Sequence, residues 1–280
     1  MSNIVVILSP TNEGSEVRMK ETQDAADQVG QIDLRIVDSE QPLDDVAEQC
    51  QSAVVVVPHG KYDELTELAE KISTLKLVQT PSAGTDWIDK AALAELGVDV
   101  ANNGGANAVA VAEHAIGLMF STNRKLDVQI ESVKQGTWMA GVEGDRTEFH
   151  TLVGKRIGII GLGRIGSRVA KRLAGWECEL VYHDIIDHPA DYVTATGAKK
   201  VSLDELISTS DIITLHVPLD RVTTHMMSDA EFEMMKPTAI LINTCRGPVV
   251  DENALIRALE SKEIFAAGLD VTEIEPIESD

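Results

Sequence analysis

The stretch that decides the fold is residues 154–166, GKRIGIIGLGRIG. Its apolar run, Arg156–Ile160, is typical of a strand that is buried on both faces of a parallel sheet. Residues 164–173 continue with helical periodicity, so three glycines fall on the turn between a strand and a helix. Those glycines are Gly161, Gly163 and Gly166. Strand, turn and helix in this order predict one unit of a doubly wound α/β fold.

The three glycines have separate roles in such a turn. Gly161 permits the tight turn, Gly163 lets a pyrophosphate approach the backbone, and Gly166 allows the helix to pack closely on the strand. The backbone N–H groups of Arg164 and Ile165 then lie at a helix N-terminus, where the helix dipole favours an anion. We therefore expect these five residues to bind the pyrophosphate of a dinucleotide.

A second predicted strand, Glu179–His183, ends immediately before Asp184. An acid about 20 residues beyond the glycine turn accepts a hydrogen bond from the ribose 2′-hydroxyl in dinucleotide-binding units. A carboxylate at this position also repels a 2′-phosphate. The sequence thus predicts NAD, rather than NADP, as the cofactor.

Short runs rich in Val, Ile and Leu alternate with helical patterns along most of the chain. This alternation predicts right-handed βαβ units and a parallel sheet in each half. Strands are predicted at residues 4–8, 34–37, 53–57 and 75–79, and again at 156–160, 179–183, 211–217, 239–243 and 264–269. Helices are predicted at 15–29, 43–50, 62–72, 107–134 and 164–173. Capping boxes that open at Ser202 and Ser228 predict two further helix starts.

A turn-rich segment, ANNGG at residues 101–105, separates the two halves. We place the domain boundary there, with residues 1–101 as a smaller α/β domain and residues 102–280 as the dinucleotide-binding domain. A chain of 280 residues comfortably accommodates two domains.

The composition limits the partners and the compartment. A net charge of −22, from 46 acidic and 24 basic residues, disfavours binding to nucleic acid or to an anionic membrane, and it suits either a salt-adapted host or an ordinary acidic enzyme. No apolar run reaches the roughly 18 residues of a membrane span, and the N-terminus reads as a strand rather than a signal peptide. Cys50, Cys178 and Cys245 have neither metal-ligand nor disulfide spacing. We therefore expect a cytoplasmic protein without a bound metal.

Three further motifs follow predicted strands in the second half. They are LHVPL at residues 215–219, NTCRG at 243–247 and GLDV at 268–271, and EIEP follows the last of them at 273–276. Ligands of doubly wound sheets bind outside the carboxyl ends of the strands. We therefore expect these segments to line one crevice beside the cofactor.

With these motifs the chain resembles the D-isomer-specific 2-hydroxyacid dehydrogenases. The resemblance runs from about residue 76 to the C-terminus, whereas the first 75 residues match only in the alternation of predicted strands and helices. Besides the segments above, it is carried by SAGTDWID at 82–89, NGGANAVAVAEH at 103–114 and GPVVDENAL at 247–255. It implies a Rossmann-type doubly wound domain that binds NAD and a smaller, flavodoxin-like α/β domain that binds the substrate.

The resemblance also implies catalytic residues. Arg246 should hold the carboxylate of a 2-oxo acid and polarise its carbonyl, because a guanidinium binds carboxylates through two parallel hydrogen bonds and stays charged. Glu275, immediately before Pro276, matches the family's glutamate that pairs with a catalytic histidine, and a carboxylate beside an imidazole raises the imidazole pKa. Glu273 is the nearby alternative.

Cofactor and substrate contacts follow from the same resemblance. Asp270 should accept a hydrogen bond from the nicotinamide carboxamide. Further residues expected around the cofactor are His216, Pro218, Thr244 and Cys245. The residues expected to hold the substrate carboxylate through their backbone are Ser82, Ala83 and Gly84.

Two other residues carry open alternatives. Asn107 is expected near the substrate or in helix packing. His59, with Lys61 beside it, suits an anionic substrate or a solvated loop. His114 is expected to be a helix-packing residue.

The sequence departs from the family's pattern after Pro276. The family's catalytic histidine lies in a Pro-His segment beyond the Glu-Pro pair, and none of the seven histidines here has that position. We therefore expect that the C-terminal segment of the family is absent from these 280 residues. On that basis the chain is predicted to bind NAD but to reduce 2-oxo acids poorly, since general acid catalysis contributes roughly 10²–10⁴-fold.

The resemblance implies an NAD-dependent oxidoreductase that interconverts a small anionic 2-oxo acid and a D-2-hydroxy acid. The expected substrates are 3-phosphoglycerate, hydroxypyruvate or glyoxylate. The alternatives are a non-catalytic, corepressor-like regulator that binds NAD, and a formate or phosphite dehydrogenase of the same fold. A homodimer is implied as well, with contacts expected from the helix after Asn107 and from residues 136–150.

Overall fold

A computed structural model of the chain describes residues 3–10, 15–137 and 151–277. The described chain forms two compact units, Met1–Ala106 and Asn107–Asp280. The substrate-binding and cofactor-binding roles assigned above to residues 1–101 and 102–280 stay predictions.

The first unit is built on a five-stranded parallel sheet. Its strands are β1 (Asn3–Ser9), β2 (Ile32–Asp38), β3 (Val55–Pro58), β4 (Leu77–Gln79) and β5 (Asp99–Ala101), and its helices are α1 (Ser15–Val29), α2 (Leu43–Gln49), α3 (Leu65–Lys71) and α4 (Lys90–Glu95). The strand order β2-β1-β3-β4-β5 is that of flavodoxin-like folds, as predicted. The core consists of strand residues such as Val6, Val56 and Val78, which are fully buried because helices cover both faces.

The second unit is built on a six-stranded parallel sheet. Its strands are β6 (Arg156–Ile160), β7 (Glu179–His183), β8 (Lys199–Lys200), β9 (Ile212–Leu215), β10 (Ile240–Asn243) and β11 (Ala266–Leu269). The helices are α5 (Ala108–Arg124), α6 (Leu126–Lys134), α7 (Gly166–Leu173), α8 (Ala190–Thr194), α9 (Leu203–Thr209), α10 (Asp229–Met234) and α11 (Glu252–Ser261), with a 3₁₀ turn at Gly247–Val249. The order β11-β10-β9-β6-β7-β8 is the doubly wound Rossmann order, which confirms the predicted fold class. The strand order reverses between β6 and β9, which is where such sheets form a ligand crevice.

Local sequence explains where several of these helices begin. Ser228 and Glu231 form the predicted capping box at the start of α10. The Ser202 hydroxyl accepts a hydrogen bond from the Glu205 N–H and opens α9. Asp89 caps α4 through two backbone N–H groups, although this short helix was not predicted because six residues show little periodicity.

The single helix predicted over residues 107–134 is wrong. Lys125, with φ 49° and ψ 49°, is left-handed, and it ends α5 before α6 begins. A left-handed residue interrupts the right-handed hydrogen-bond ladder, and such positions usually carry glycine or asparagine. Here the Lys125 Nζ lies 4.9 Å from the centre of the Phe265 ring, a tertiary contact that the sequence pattern does not reveal.

Candidate functional site

The C-terminal edge of the second sheet gathers four of the predicted segments. The strand register pairs Ile160 with Leu215, Leu215 with Asn243, and Asn243 with Leu269. Since all four strands are parallel and in step, the residues that follow them lie along one edge. Those residues include Gly161, His216, Thr244 and Asp270.

The glycine turn is shaped by close backbone contacts. A Cβ on Gly161 would lie 2.5 Å from the carbonyl oxygen of His216, and one on Gly166 would lie 2.0 Å from that of Gly161. A Cβ on Gly163 would meet nothing within 4 Å. The first and third glycines therefore serve packing, whereas the second leaves an open side at the N-terminus of α7. This geometry fits the pyrophosphate of a dinucleotide, which needs a close and unobstructed backbone.

Asp184 lies against this turn with its side chain 10% exposed. Its Oδ2 accepts hydrogen bonds from the Leu162 N–H at 2.7 Å and from His188 Nε2 at 3.0 Å, and its Oδ1 accepts one from the Ile186 N–H at 2.8 Å. Burial favours the neutral acid, but these hydrogen bonds outweigh burial and lower the pKa of Asp184 below its ordinary value. The group is thus an ionised acceptor, which suits a ribose hydroxyl.

His216 and Thr244 present unsatisfied polar atoms at the same edge. His216 Nε2 lies 3.0 Å from the Thr214 hydroxyl, and burial lowers the pKa of His216 to about 3, so the ring is neutral. Among the residues that the structure describes, His216 Nδ1 and Thr244 Oγ1 are buried atoms without a hydrogen-bond partner. Buried polar atoms of this kind commonly mark a place where a ligand or water supplies the partner. Both atoms therefore fit a polar cofactor in the crevice.

Asn243, which sequence reasoning did not assign to the site, holds the turn that carries Arg246. Its Nδ2 donates to the Arg246 carbonyl at 3.0 Å, and its Oδ1 accepts from the Cys245 N–H at 3.0 Å. The Cys245 thiol also contacts Oδ1, and burial raises the pKa of that thiol, so it stays protonated. The Arg246 guanidinium donates to the Cys245 carbonyl at 2.7 Å and is partly exposed. The side chain is thereby held at the sheet edge with access to solvent.

The segment with Glu275 crosses the Arg246 turn at Gly247. A Cβ on Gly247 would lie 1.9 Å from the Thr272 carbonyl oxygen, so only glycine allows this approach. The exposed Glu275 carboxylate accepts a hydrogen bond from the Thr272 N–H at 3.1 Å. The two predicted catalytic residues are therefore carried by segments that touch each other.

Glu273, the alternative to Glu275, has a different environment. His225 Nε2 lies 2.8 Å from the Glu273 carboxylate, and the Glu273 N–H donates to the Glu252 carboxylate at 2.6 Å. These contacts anchor the segment to α11 and to the loop after β9. Glu273 is thus engaged in contacts within the protein, whereas the Glu275 carboxylate is exposed. Glu275 therefore stays the better candidate for pairing with a catalytic histidine. Only the folded chain brings His225 to this place.

Asp270 follows β11, and its N–H donates to the Asn243 carbonyl at 2.9 Å. Its carboxylate lies 3.1 Å from Nε2 of His114 on α5. The expectation that His114 is a packing residue is therefore wrong, because its ring is half exposed and contacts a carboxylate. Asn107, at the start of α5, makes no capping hydrogen bond through its side chain. Its predicted proximity to substrate stays a prediction.

The first unit brings its own predicted residues to one edge of its sheet. His59 follows β3, and its N–H donates to the Leu8 carbonyl at 2.8 Å. The loop after β4 contains Ser82–Gly84, in which the Ser82 hydroxyl donates to the Gly84 carbonyl at 3.2 Å. Asn102 Nδ2 donates to the Ala83 carbonyl at 2.8 Å and braces this loop. Their role in binding substrate stays a prediction.

Two classes of site find no support in the part of the chain described. Among residues 3–10, 15–137 and 151–277, no group of three or more His, Cys, Asp or Glu side chains could hold a metal ion. Within the same ranges, no helix is long and apolar enough to cross a lipid bilayer.

Comparison with known families gives a direct match to the second unit. Residues 116–280 match the sequence model for the D-isomer specific 2-hydroxyacid dehydrogenase, NAD binding domain. This range contains the glycine turn, Asp184 and every strand of the six-stranded sheet.

Individual proteins show the same relationship. D-3-phosphoglycerate dehydrogenase 3, chloroplastic, of Arabidopsis thaliana is 41% identical over 202 residues, which are 72% of this chain and 34% of the relative. Glyoxylate reductase of Thermococcus litoralis is 38% identical over 231 residues, which are 80% of this chain and 68% of the relative. The crystal structure of D-lactate dehydrogenase from Aquifex aeolicus complexed with NAD and lactic acid superposes with a TM-score of 0.81 at 28% identity, covering 99% of this chain and 82% of that one. The chain thus spans about a third of the length of one curated relative and about two thirds of another.

Proposed function

This chain belongs to the D-isomer-specific 2-hydroxyacid dehydrogenase family and carries its NAD-binding domain, and from that membership we propose that it interconverts a 2-oxo acid and a D-2-hydroxy acid. The observation that carries the proposal is the crossing of the Arg246 and Glu275 segments at Gly247, beside the glycine turn's sheet edge. A guanidinium and a carboxylate in adjoining segments suit a substrate that has both a carboxylate and a reducible carbonyl.

The chain's own residues account for cofactor binding. The Gly161–Gly166 turn would hold the pyrophosphate, and Asp184 would accept from the adenosine ribose and disfavour a 2′-phosphate. Asp270 would orient the nicotinamide carboxamide, with His216, Pro218, Thr244 and Cys245 around it. Once bound, the nicotinamide supplies or accepts the hydride.

Arg246 would bind the substrate carboxylate and polarise the carbonyl that is reduced. The hydrogen bonds from Asn243 to the backbone of Cys245 and Arg246 support this role, because they limit how far the turn that carries Arg246 can move. Glu275 would pair with an imidazole that donates the proton to the carbonyl oxygen, and the negative charge would keep that imidazole protonated.

A binding experiment tests the proposal independently of turnover. Quenching of NADH fluorescence would report the affinity of the chain–NADH complex for glyoxylate, hydroxypyruvate, 3-phosphohydroxypyruvate, pyruvate and formate. We expect at least one 2-oxo acid to bind, and Arg246→Lys to weaken it by at least about tenfold because the two parallel hydrogen bonds are lost. Arg257→Lys is the matched control, since Arg257 forms an exposed ion pair with Asp229.

Two results would overturn the proposal. Binding of NADH without any 2-oxo acid would favour a non-catalytic NAD-binding regulator. Binding of formate alone would favour the formate branch of the fold. Equal affinities in the two arginine variants would remove Arg246 from the substrate site.

We also propose a homodimer formed through α6. One face of this helix is apolar: Leu126, Ile130 and Val133, which are spaced four and three residues apart, are 38%, 55% and 62% exposed. Contiguous exposed apolar side chains of this kind commonly mark protein interfaces. Residues 138–150, in the second segment expected at this contact, lie outside the described residues.

Light scattering coupled to size-exclusion chromatography tests the dimer. Ile130→Glu should convert the dimer to a monomer, because a charge at the centre of an apolar interface is desolvated. Ile256→Glu is the control, since Ile256 is 53% exposed on α11. A monomeric wild-type chain would contradict the proposal.

The compartment is proposed from cysteine chemistry. All three cysteines are free thiols, and burial raises the pKa of the Cys50 thiol to about 11. Free thiols are typical of a reducing compartment such as the cytoplasm.

A further inference from the structure

Asp184 is paired with a histidine that the cofactor assignment does not use. His188 Nε2 lies 3.0 Å from Asp184 Oδ2, and the two side chains are only 14% and 10% exposed. The His188 ring stacks on Tyr192, with ring centres 5.0 Å apart. The Tyr192 hydroxyl donates to the carbonyl oxygens of Leu162 and Gly163 at 3.0 and 3.1 Å. His188 is therefore linked to the glycine turn through its contacts with Asp184 and Tyr192.

The carboxylate of Asp184 has little acceptor capacity left. A carboxylate offers about four lone-pair positions. Three are used, by the N–H groups of Leu162 and Ile186 and by His188. One position on Oδ1 therefore remains for a ribose hydroxyl, and His188 occupies the position that a second hydroxyl would take.

The protonation state of His188 decides the charge that this pocket presents. An ionised Asp184 can only accept, so Nε2 carries the hydrogen in either state of the ring. With a neutral ring the carboxylate keeps its full negative charge toward the ribose 2′ position. With a protonated ring the pair is neutral, and a 2′-phosphate meets an imidazolium as well as the carboxylate.

Other charges around His188 balance each other. Asp187 is paired with Lys200, and the hydrogen bond from Lys200 keeps the pKa of Asp187 below its ordinary value. Lys171 Nζ lies 5.9 Å from the centre of the Tyr192 ring, on which His188 stacks. The formal charges of Asp184, Asp187, Lys171 and Lys200 sum to zero. Protonation of His188 therefore gives this group of side chains a net charge of about one positive unit.

We propose that His188 is a specificity-determining residue that sets how strongly this chain rejects the 2′-phosphorylated cofactor. The inference rests on the proposed role of Asp184 as the ribose acid. Discrimination against NADPH is strong when the ring is neutral and weakens as the ring takes up a proton. The preference of this pocket for NAD should therefore weaken as the pH is lowered.

The test compares dissociation constants for NADH and NADPH, measured from nicotinamide fluorescence at about pH 8 and about pH 5.5, which bracket the histidine range. The 2′-phosphate itself takes up a proton near pH 6, so every variant has some pH dependence. His188→Gln removes the titration but keeps an N–H donor for Asp184. We expect the NADPH-to-NADH ratio of dissociation constants to fall at least about tenfold more in the wild type than in His188→Gln, a difference of about 1.4 kcal/mol.

His225→Gln serves as the matched control, because it also removes a histidine that is paired with a carboxylate, here Glu273, outside the Asp184 pocket. It should retain the wild-type pH dependence. Equal pH dependence in the wild type and His188→Gln would overturn the inference and leave NAD binding intact. Failure of the wild type to bind NADH would overturn the proposed function itself.

A second measurement does not depend on a variant that folds. In NMR spectra of the wild type, the His188 ring signals should shift at a higher pH with NADPH bound than with NADH bound, since the phosphate stabilises the imidazolium. Identical titrations in the two complexes would contradict the inference.

Discussion

At the C-terminal edge of the second sheet, backbone segments approach each other so closely that side chains are excluded. A Cβ on Gly161, Gly166 or Gly247 would come within 2.5 Å of a carbonyl oxygen. At the turns of the first unit, Cβ atoms on Gly30, Gly60 and Gly97 would meet nothing within 4 Å, and these glycines are needed only for their positive φ. Glycine thus serves two purposes in this chain: it allows close backbone approach at this edge of the second sheet, and it allows a positive φ at turns of both units, including Gly136, Gly154 and Gly197 of the second.

This difference is one reason why the sequence motifs of the second unit are more specific than those of the first. Positive φ can be met by asparagine as well as glycine, so such a turn leaves a loose pattern. A crowded backbone allows one residue type at each place, so its pattern is specific. The family match over residues 116–280 contains this crowded edge. Three predictions test this contrast.

The largest expected effect is at Gly247. Gly247→Ala would force the Arg246 turn away from Thr272 and should lower the free energy of unfolding by about 3 kcal/mol or prevent folding. Gly175→Ala, where a Cβ meets nothing within 4 Å, should change it by less than about 1 kcal/mol. Urea unfolding of both variants measures the difference. Similar losses would show that crowding is not what requires glycine at this edge.

A smaller effect is expected from two asparagines at the two edges. Asn243 is 1% exposed and bonded to both Arg246 and Cys245, so Asn243→Ala should cost about 2–3 kcal/mol by leaving buried groups unpaired. Asn102 also makes two backbone contacts, with Ala83 and Gly104, but in solvent. Asn102→Ala should cost less than about 1 kcal/mol, because water replaces the lost partners. Thermal unfolding checks the ranking, and the reverse order would refute it.

The smallest effect is a dependence of stability on pH from His216. Between the ordinary histidine pKa of about 6.5 and the folded value of about 3, the unfolded state binds more protons than the folded state. The free energy of unfolding should therefore fall with decreasing pH, by about 1–2 kcal/mol from pH 6.5 to 5.

Urea unfolding across this pH range measures that slope. His216→Gln should flatten it, whereas Asn102→Ala, at the edge of the first sheet, removes no titratable group and should leave the wild-type slope unchanged. An unaltered slope in His216→Gln would show that this ring is not the group responsible.

Much of the fold and part of the candidate site could be predicted from the sequence. The strand–helix alternation predicted both parallel sheets but missed their short strands β5 and β8. The glycine turn and Asp184 were marked by local spacing, whereas Arg246 was assigned through the family resemblance. The break at Lys125 was missed because lysine carries no local signal for a left-handed conformation. In the folded chain its Nζ lies over the ring of Phe265, 140 residues away in sequence. Asn243, His188 and His225 were missed because a polar residue at a strand or loop end has no pattern of its own.

Sequence alone determined most of the elements, their parallel arrangement and the residue types at the glycine turn, because periodicity and steric limits act over a few neighbouring residues. Tertiary structure decided that Glu273, rather than Glu275, contacts His225 and Glu252. It also decided that His114 contacts Asp270 and that His188 takes an acceptor position on Asp184. These are matters of distance between segments far apart in the chain, and only the packing of the sheet and its helices sets those distances.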